Sequence, residues 1–506
     1  MGKSKKINGT ELNKNIETVL WDAANKLIGS TMPHNYMNIC LGLIFLKYVS
    51  DRFEFRHIQL VQENEGFEED RDAYISENVF WVPECARWSF VSKSSKSEEI
   101  GIILDQALLS IEKENNQLKG ILPKVYSTGD IEKRVLGELV DLLSNQLVTN
   151  NMNGDLFGKC YEYFLGSFYK KFGQKGGEFY TPASIVNMLV KMLQPHEGRV
   201  YDPCCGSGGM FSHSIDFIKS HQGNVNHIAI YGQERNPDTW RLAKMNMAIR
   251  GISADLGANY GDTFSDDKHK SLRADYVLAN PPFNSKDYGR DGLLQDSRWM
   301  YGIPPSGNAN YAWLQHIVSK LSPRGIAGVV LANGSLSSNG KEEREIRKNM
   351  LSQNGGIVDC IVSLPSNLFS TVTIPACLWF LNKNRTTRKN QTLFIDARNL
   401  GVMIDRKIRE LTDDEINKIT AIYQTWQEDK NYVDIKGFCK SATLDNIIAI
   451  DYSLVPGRYV GIDDSNKKSK GEIEQEIKKV KLELLELYAQ NKELDAKVLT
   501  ILQGDE

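Results

Sequence analysis

An amide, two prolines and an aromatic ring stand together at Asn280-Pro281-Pro282-Phe283. Neither proline can feed a hydrogen-bonded ladder, because each lacks a backbone N–H, and a residue that precedes proline is pushed to extended geometry. The backbone is therefore stiff, and it presents the Asn280 side chain, the Pro281 carbonyl and the Phe283 ring together. Such a set suits a planar conjugated amine. The exocyclic amine of a base is a poor nucleophile, since its lone pair is delocalised into the ring. Two acceptors that each take one N–H localise that pair and aim it, while Phe283 stacks on the ring face. The plainer reading of four such residues is a proline-rich turn at the end of a strand, so the decision between the two rests on the rest of the chain.

Other runs have ligand-binding chemistry. Asp202-Pro203-Cys204-Cys205-Gly206-Ser207-Gly208-Gly209 follows a short strand and opens a helix. An α/β sheet makes a nucleotide-type site in this way, at the carboxyl end of its first strand. The G-x-G-x-x-G spacing of dinucleotide proteins is absent, and Asp202-Pro203 replaces its first glycine. Small residues at 206–209 allow a ligand to lie close to the backbone. Glu234 ends a second strand, 228–233, where an acid can accept from both ribose hydroxyls. Asp262, in Gly261-Asp262-Thr263-Phe264, can accept from an adenine amino group, although an Asp in such a turn commonly serves the turn alone. Upstream, a glycine-rich loop runs through Gly176-Gly177-Glu178-Phe179-Tyr180 into Thr181-Pro182, which reads as a helix start with Thr181 as N-cap and Pro182 at the first position.

These residues need a sheet to position them. Ala274–Ala279 reads as a short buried strand that delivers Asn280. Further strands are expected at 325–331, 357–364, 376–381 and 392–396, and helices at 155–172, 237–250 and 311–322. Gly251 caps the second of these helices. A polar loop at 284–310 carries Lys286, Arg290, Arg298, Trp299 and Tyr301. The basic stretch 382–390 reads as a solvated hairpin tip. Before residue 150 the pattern is mostly helical, with apolar spacing over 16–28, 36–55, 98–115 and 131–145, and it holds no catalytic constellation. Near the end, Ile473, Ile477, Val480, Leu484, Leu487, Leu494, Val498 and Ile501 alternate four and three apart, with Asn491 at the one polar core position. This heptad calls for a coiled coil; the alternative is a single amphipathic helix folded back on its own domain.

Composition sets the outer limits. The 506 residues suffice for two or three domains, and 41% hydrophobic with 25% charged residues is ordinary for a soluble protein. A net charge of −3 gives no global basic field, so any contact with nucleic acid must come from local patches or from a partner. The eight cysteines form no C-x-x-C pair, which argues against both zinc and a disulfide framework. No secretory signal opens the chain, and the longest apolar run, Ile39 to Val49, is too short to span a bilayer and contains Lys47. A reduced, cytoplasmic protein is expected. The expected divisions are a helical domain over 1–150, a catalytic domain over 151–435 whose sheet ends near Asp396, and a C-terminal segment over 436–506 with its long helix at about 471–503.

In the order F-Y-T-P (179–182), D-P-C-C-G-S-G-G (202–209), Glu234, G-D-T-F (261–264) and N-P-P-F (280–283), the chain resembles an S-adenosylmethionine-dependent amino methyltransferase of DNA. More closely, it is similar to the modification subunit of type I restriction–modification systems, and the likeness covers nearly the whole chain. The resemblance implies a Rossmann-like mixed α/β sheet with a helical N-terminal domain and a C-terminal coiled-coil helix, and N6-methyladenine as product. It implies that Glu178, Phe179, Tyr180, Thr181, Pro182, Ala183, Asp202, Gly206, Ser207, Gly208, Gly209 and Glu234 hold S-adenosyl-L-methionine, with Asp262 near its adenine. Asn280, Pro281, Pro282 and Phe283 would grip a flipped-out adenine, with no metal required, and the loop 284–310 would close over the base. The implied partners are double-stranded DNA, a specificity subunit held by the C-terminal helix, a second copy of the chain and a restriction subunit. Two other classes share part of the pattern: a glutamine or RNA-base methyltransferase, and a non-catalytic assembly protein on the same fold.

Overall fold

The computed structural model describes residues 33–128, 131–146, 181–221, 223–369 and 375–462, with isolated helical positions at 158, 161–163, 165–167 and between 477 and 494. The expected helix at 16–28, most of 155–172, the run Glu178-Phe179-Tyr180 and most of the heptad lie outside the described residues.

Among the described residues the catalytic part is built on a nine-stranded sheet. Its strands are β1 (Gly198–Asp202), β2 (Ile228–Gly232), β3 (Ala254–Asp255), β4 (Ala274–Ala279), β5 (Leu321–Ala332), β6 (Val358–Ser363), β7 (Ala376–Asn382), β8 (Gln391–Asp396) and β11 (Cys439–Thr443). Two short strands, β9 (Val402–Met403) and β10 (Arg409–Glu410), pair only with each other. The sheet order is β11-β8-β6-β7-β5-β4-β1-β2-β3. From β3 through β5 all neighbours are parallel, whereas β7 lies antiparallel to both β5 and β6. β1 is followed by β2 and β3 on one side, and β4 lies on its other side. The order reverses between β1 and β4, which is where open α/β sheets bind ligands, beyond the carboxyl ends of the strands.

The central strands read as continuous apolar runs because both faces of the sheet are covered. Val200, Leu278 and Val330 enter one core with α4 (Ala183–Leu193), α5 (Gly209–Ser220), α6 (Pro237–Ile249) and α9 (Asp413–Gln427). Their neighbours Tyr201, Val277 and Val329 enter the opposite core with α7 (Asn310–Lys320) and α8 (Lys341–Ser352). The period-2 alternation of strand side chains sorts them between these two layers.

The N-terminal helices α1 (Pro33–Glu63), α2 (Ile100–Glu114) and α3 (Lys133–Gln146) share a core of their own. That core is closed by Leu242, Met245 and Ile249 of α6, and Tyr48 Oη donates to the Ile249 carbonyl at 3.2 Å. One helix thus serves two cores, since Ala243 and Met247 on its other side belong to the sheet.

Three expectations need correction. The sheet does not end near Asp396, and a boundary at 435 would cut it: β11 pairs with β8 from Cys439↔Ile395 to Thr443↔Gln391, and Tyr459 stacks on Phe394 at 3.8 Å. A short strand with few large apolar residues, on a sheet edge, gives little sequence signal. The basic tip 382–390 is not simply a solvated turn. The Arg385 side chain is buried, pairs with Asp359 at 3.3 Å and donates to the Val358 carbonyl at 3.2 Å, so it fastens the hairpin to β6. Thr181 is not the N-cap of α4: Pro182 holds that position, and the Thr181 hydroxyl is used elsewhere. No described helix is long and apolar enough to cross a membrane, and no cluster of metal-ligating side chains occurs among the described residues.

Candidate active site

The loops after β1, β2, β3 and β4 converge on one cleft. Thr181, Asp202, Gly206, Ser207, Gly209, Glu234, Asp262, Asn280 and Pro282 all line it. Gly208 lies behind the wall, where a Cβ would come 3.0 Å from Met247 Cε and where φ is +86°. Pro281 is buried beneath the site, and Ala183 faces a separate groove.

The loop after β1 is held open by its neighbours. Gly206 has φ +55° with open space where a side chain would project, so the turn itself requires glycine there. Glu234 braces the same turn: Oε2 accepts from Gly206 N at 3.0 Å and Oε1 from Asn236 N at 2.8 Å. A carboxylate oxygen can accept more than one hydrogen bond, so a group that braces a turn in this way can also meet ligand hydroxyls. Gln233, fully buried, donates through Nε2 to the carbonyls of Gly261 at 3.0 Å and Asp266 at 2.8 Å. Thr263 Oγ1 donates to the Pro203 carbonyl at 2.6 Å. Gln233 and Thr263 therefore tie three loops together. Sequence reasoning missed both, because each works from beside a residue with a more evident role.

The cleft wall is acidic. Burial pushes the Asp202 carboxyl up to about 7, opposed by the N–H of Cys204 donating to Oδ1 at 2.9 Å. Asp262 Oδ1 accepts from the N–H groups of Phe264 and Ser265, both at 3.0 Å, so the turn chemistry is present in a residue that also lines the cleft. Asp202, Glu234 and Asp262 make a wall suited to a cationic, hydroxyl-bearing ligand.

At the end of β4, Asn280 Nδ2 donates to Thr181 Oγ1 at 2.8 Å. Asn280 Oδ1 is sealed from water and has no hydrogen-bond partner. With the amide nitrogen turned to the Thr181 hydroxyl, the acceptor oxygen is left bare. Phe283 packs edge-to-face with Phe369 at 5.7 Å. Phe369, in the loop after β6, is a ring beside Phe283 that sequence reasoning did not single out; an aromatic far along the chain gives no local signal.

The loop 284–310 borders the cleft through Ser285 and Tyr288 and is tied down at several points. Its two ends are joined, with Asn310 Nδ2 donating to Asn284 Oδ1 at 2.9 Å, and Tyr288 Oη donates to the Pro305 carbonyl at 3.0 Å. Arg298 donates to the carbonyls of Thr263 at 3.0 Å and Phe264 at 2.6 Å, and its guanidinium also reaches His316 Nδ1 at 3.0 Å. Burial, then the charges of Arg298 and Lys320, hold the His316 pKa well below its ordinary value, so His316 stays neutral and accepts. This loop is fastened to the loop that carries Asp262.

A sheet in which an antiparallel β7 lies between β5 and β6, with a glycine turn after β1 and N-P-P-F after β4, defines an S-adenosylmethionine-dependent methyltransferase that acts on an amine nitrogen. The comparisons with known proteins make this more particular. The chain belongs to the N-6 DNA Methylase family, whose pattern matches residues 152–468, and residues 16–143 match the HsdM N-terminal domain. It is 42% identical over 443 residues to the type I restriction enzyme HindI methylase subunit of Haemophilus influenzae, covering 84% of this chain and 99% of that protein. It is 36% identical over 520 residues to the MjaIX methylase subunit of Methanocaldococcus jannaschii, covering 98% and 92%. Among solved structures, the type I restriction-modification methyltransferase subunit of Streptococcus thermophilus superposes with a TM-score of 0.76 at 25% identity, covering 88% of this chain and 99% of that one. The protein is a DNA adenine-N6 methyltransferase of the type I restriction–modification class, with S-adenosylmethionine as methyl donor.

Proposed function

We propose that the cleft performs this transfer with the following division of labour. Asp202, the turn 206–209 and Glu234 hold S-adenosyl-L-methionine, which supplies an already activated methyl group, and Asp262 meets its adenine. Asn280 Oδ1 and the Pro281 carbonyl each accept one N–H of the target adenine amine and direct its lone pair. Phe283, supported by Phe369, faces the extruded base. Alignment and desolvation carry the rate, as expected where the donor needs no further activation. The observation that supports this reading most is the bare, buried Oδ1 of Asn280, held in orientation by Thr181. An unsatisfied buried acceptor costs about 1–3 kcal/mol, and an amine N–H would satisfy it.

The chain works in this reading as the cytoplasmic modification subunit of an assembly. Its C-terminal helix docks on a separate specificity subunit, a second copy of the chain completes the methyltransferase, and a restriction subunit joins it. Methylation-aware sequencing of host DNA with and without the gene tests the function. N6-methyladenine at one recurring sequence, lost on deletion, is expected; an unchanged methylome would overturn it.

A further inference from the structure

The ribbon of β9 and β10 carries three consecutive apolar residues, Val402 and Met403 in β9 and Ile404 where its turn begins, which are 51%, 46% and 54% exposed. Single exposed apolar side chains are ordinary, but here strand alternation bares apolar surface on both faces of one thin ribbon. The tip is well formed: Asp405 Oδ1 accepts from the N–H groups of Lys407 at 2.7 Å and Ile408 at 2.8 Å, and Ile404 N donates to the Ile408 carbonyl at 2.9 Å. Arg406 and Lys407 stand exposed in the same turn. On a chain with net charge −3, a basic pair beside an apolar tip is a local feature rather than part of a general field.

The ribbon is bonded to one support of the target site and lies across a groove from the other. Arg409 N donates at 2.8 Å to the carbonyl of Asn367, in the loop that leads to Phe369 and so to Phe283. Val402 and Glu410 share a groove with Ala183 and Ser184, at the start of the helix just after Thr181, which holds Asn280.

We propose that this tip is a DNA wedge beside the extruded adenine. Val402, Met403 and Ile404 pack against the base faces bared when the adenine leaves the stack, while Arg406 and Lys407 meet the adjoining phosphates. The idea rests on the base-flipping reading above. Extrusion costs a few kcal/mol of stacking and pairing, and apolar side chains inserted at an unstacked step offset such a cost in other DNA-deforming proteins. Duplex DNA, rather than a protein surface, is the occupant that the adjoining cations and the attachment to the target site favour.

The test uses the chain in complex with its specificity partner and two duplexes of the same sequence, one carrying 2-aminopurine at the target position to report extrusion by fluorescence and one carrying adenine there to receive the methyl group. In a Val402→Ser, Met403→Ser, Ile404→Ser variant, assembly and cofactor affinity should be unchanged, while the fluorescence rise on binding and the methylation rate fall by about tenfold, equivalent to about 1.4 kcal/mol. Arg406→Gln with Lys407→Gln should weaken DNA binding and reduce the salt slope by about 1 per cation removed. A full fluorescence rise and normal methylation in the triple variant would overturn the wedge alone. Loss of assembly would also overturn it, by placing the tip at a protein interface. Absence of methylation by the wild-type complex would remove the functional reading and the wedge together.

Discussion

Asn280 is held at one end of its amide and bare at the other. Replacing it with alanine removes an acceptor needed as the amine attacks, but nothing that the cofactor requires. Asn280→Ala should therefore cost about 3 kcal/mol or more in methyl transfer, by analogy with a lost oxyanion-hole donor, with the Kd for cofactor nearly unchanged. Calorimetry and single-turnover rates on the same preparation check this, and near-normal turnover would remove the role. Asp202 makes a prediction about pH. Its folded-state pKa is raised from 3.8 to about 7 by burial, so the folded chain keeps a proton that the unfolded chain releases. Its contribution to stability accordingly falls as pH rises from about 4 to about 7, and is level beyond. A cationic ligand beside it favours the ionised form, so cofactor affinity should strengthen between about pH 6 and about pH 8 with proton release, and Asp202→Asn should flatten the dependence. Calorimetry in buffers of different ionisation enthalpy reads both. At this scale the placement of Asn280, Glu234 and Asp262 around one cleft was legible in the sequence, because each stands where a strand or strand position ends. It hid Thr181 as the partner of Asn280, since their contact spans a sequence separation of 99 residues and no local pattern encodes it.

Elements were legible where periodicity was strong. β4 to β7 appear in the sequence as apolar runs because both faces are buried, and α6 shows its Pro237 start and Gly251 stop. The helix α9 was missed although Thr412 and Glu415 form a capping box, with Glu415 Oε2 accepting from Thr412 N at 2.9 Å. The signature is in T-D-D-E, but it sits among polar residues that read as loop. The C-terminal heptad belongs, in the proposed assembly, to a contact with another subunit. Of its core positions, Ile477, Val480, Leu484 and Leu494 are described, and they are helical with 49%, 48%, 50% and 59% of their surface exposed. Deleting the chain after about Lys470 should leave cofactor binding intact and abolish the stable complex with the specificity subunit. Co-purification of the truncated chain with that partner would show that the helix packs on its own domain instead.

Reading bases takes side chains that reach the groove edges, usually from a dedicated element. The sheet runs on to Thr443, and Tyr459 packs against it, so these residues belong to the catalytic fold and not to a separate recognition element. The chain alone should bind cofactor yet methylate no defined site, and specificity should appear on adding the partner. Radiolabel transfer to duplex DNA before and after that addition checks the point; site-specific methylation by the lone chain would locate recognition within these 506 residues. The helix that serves two cores has a consequence for biosynthesis. Residues 33–146 cannot finish burying their apolar surface until Leu242, Met245 and Ile249 have been made. At ribosomal speeds that wait lasts roughly 5–20 s, during which the nascent N-terminal helices present an open, sticky face. The early folding of this protein is thus a matter for chaperones holding an unfinished domain, and separate expression of that domain should yield aggregates.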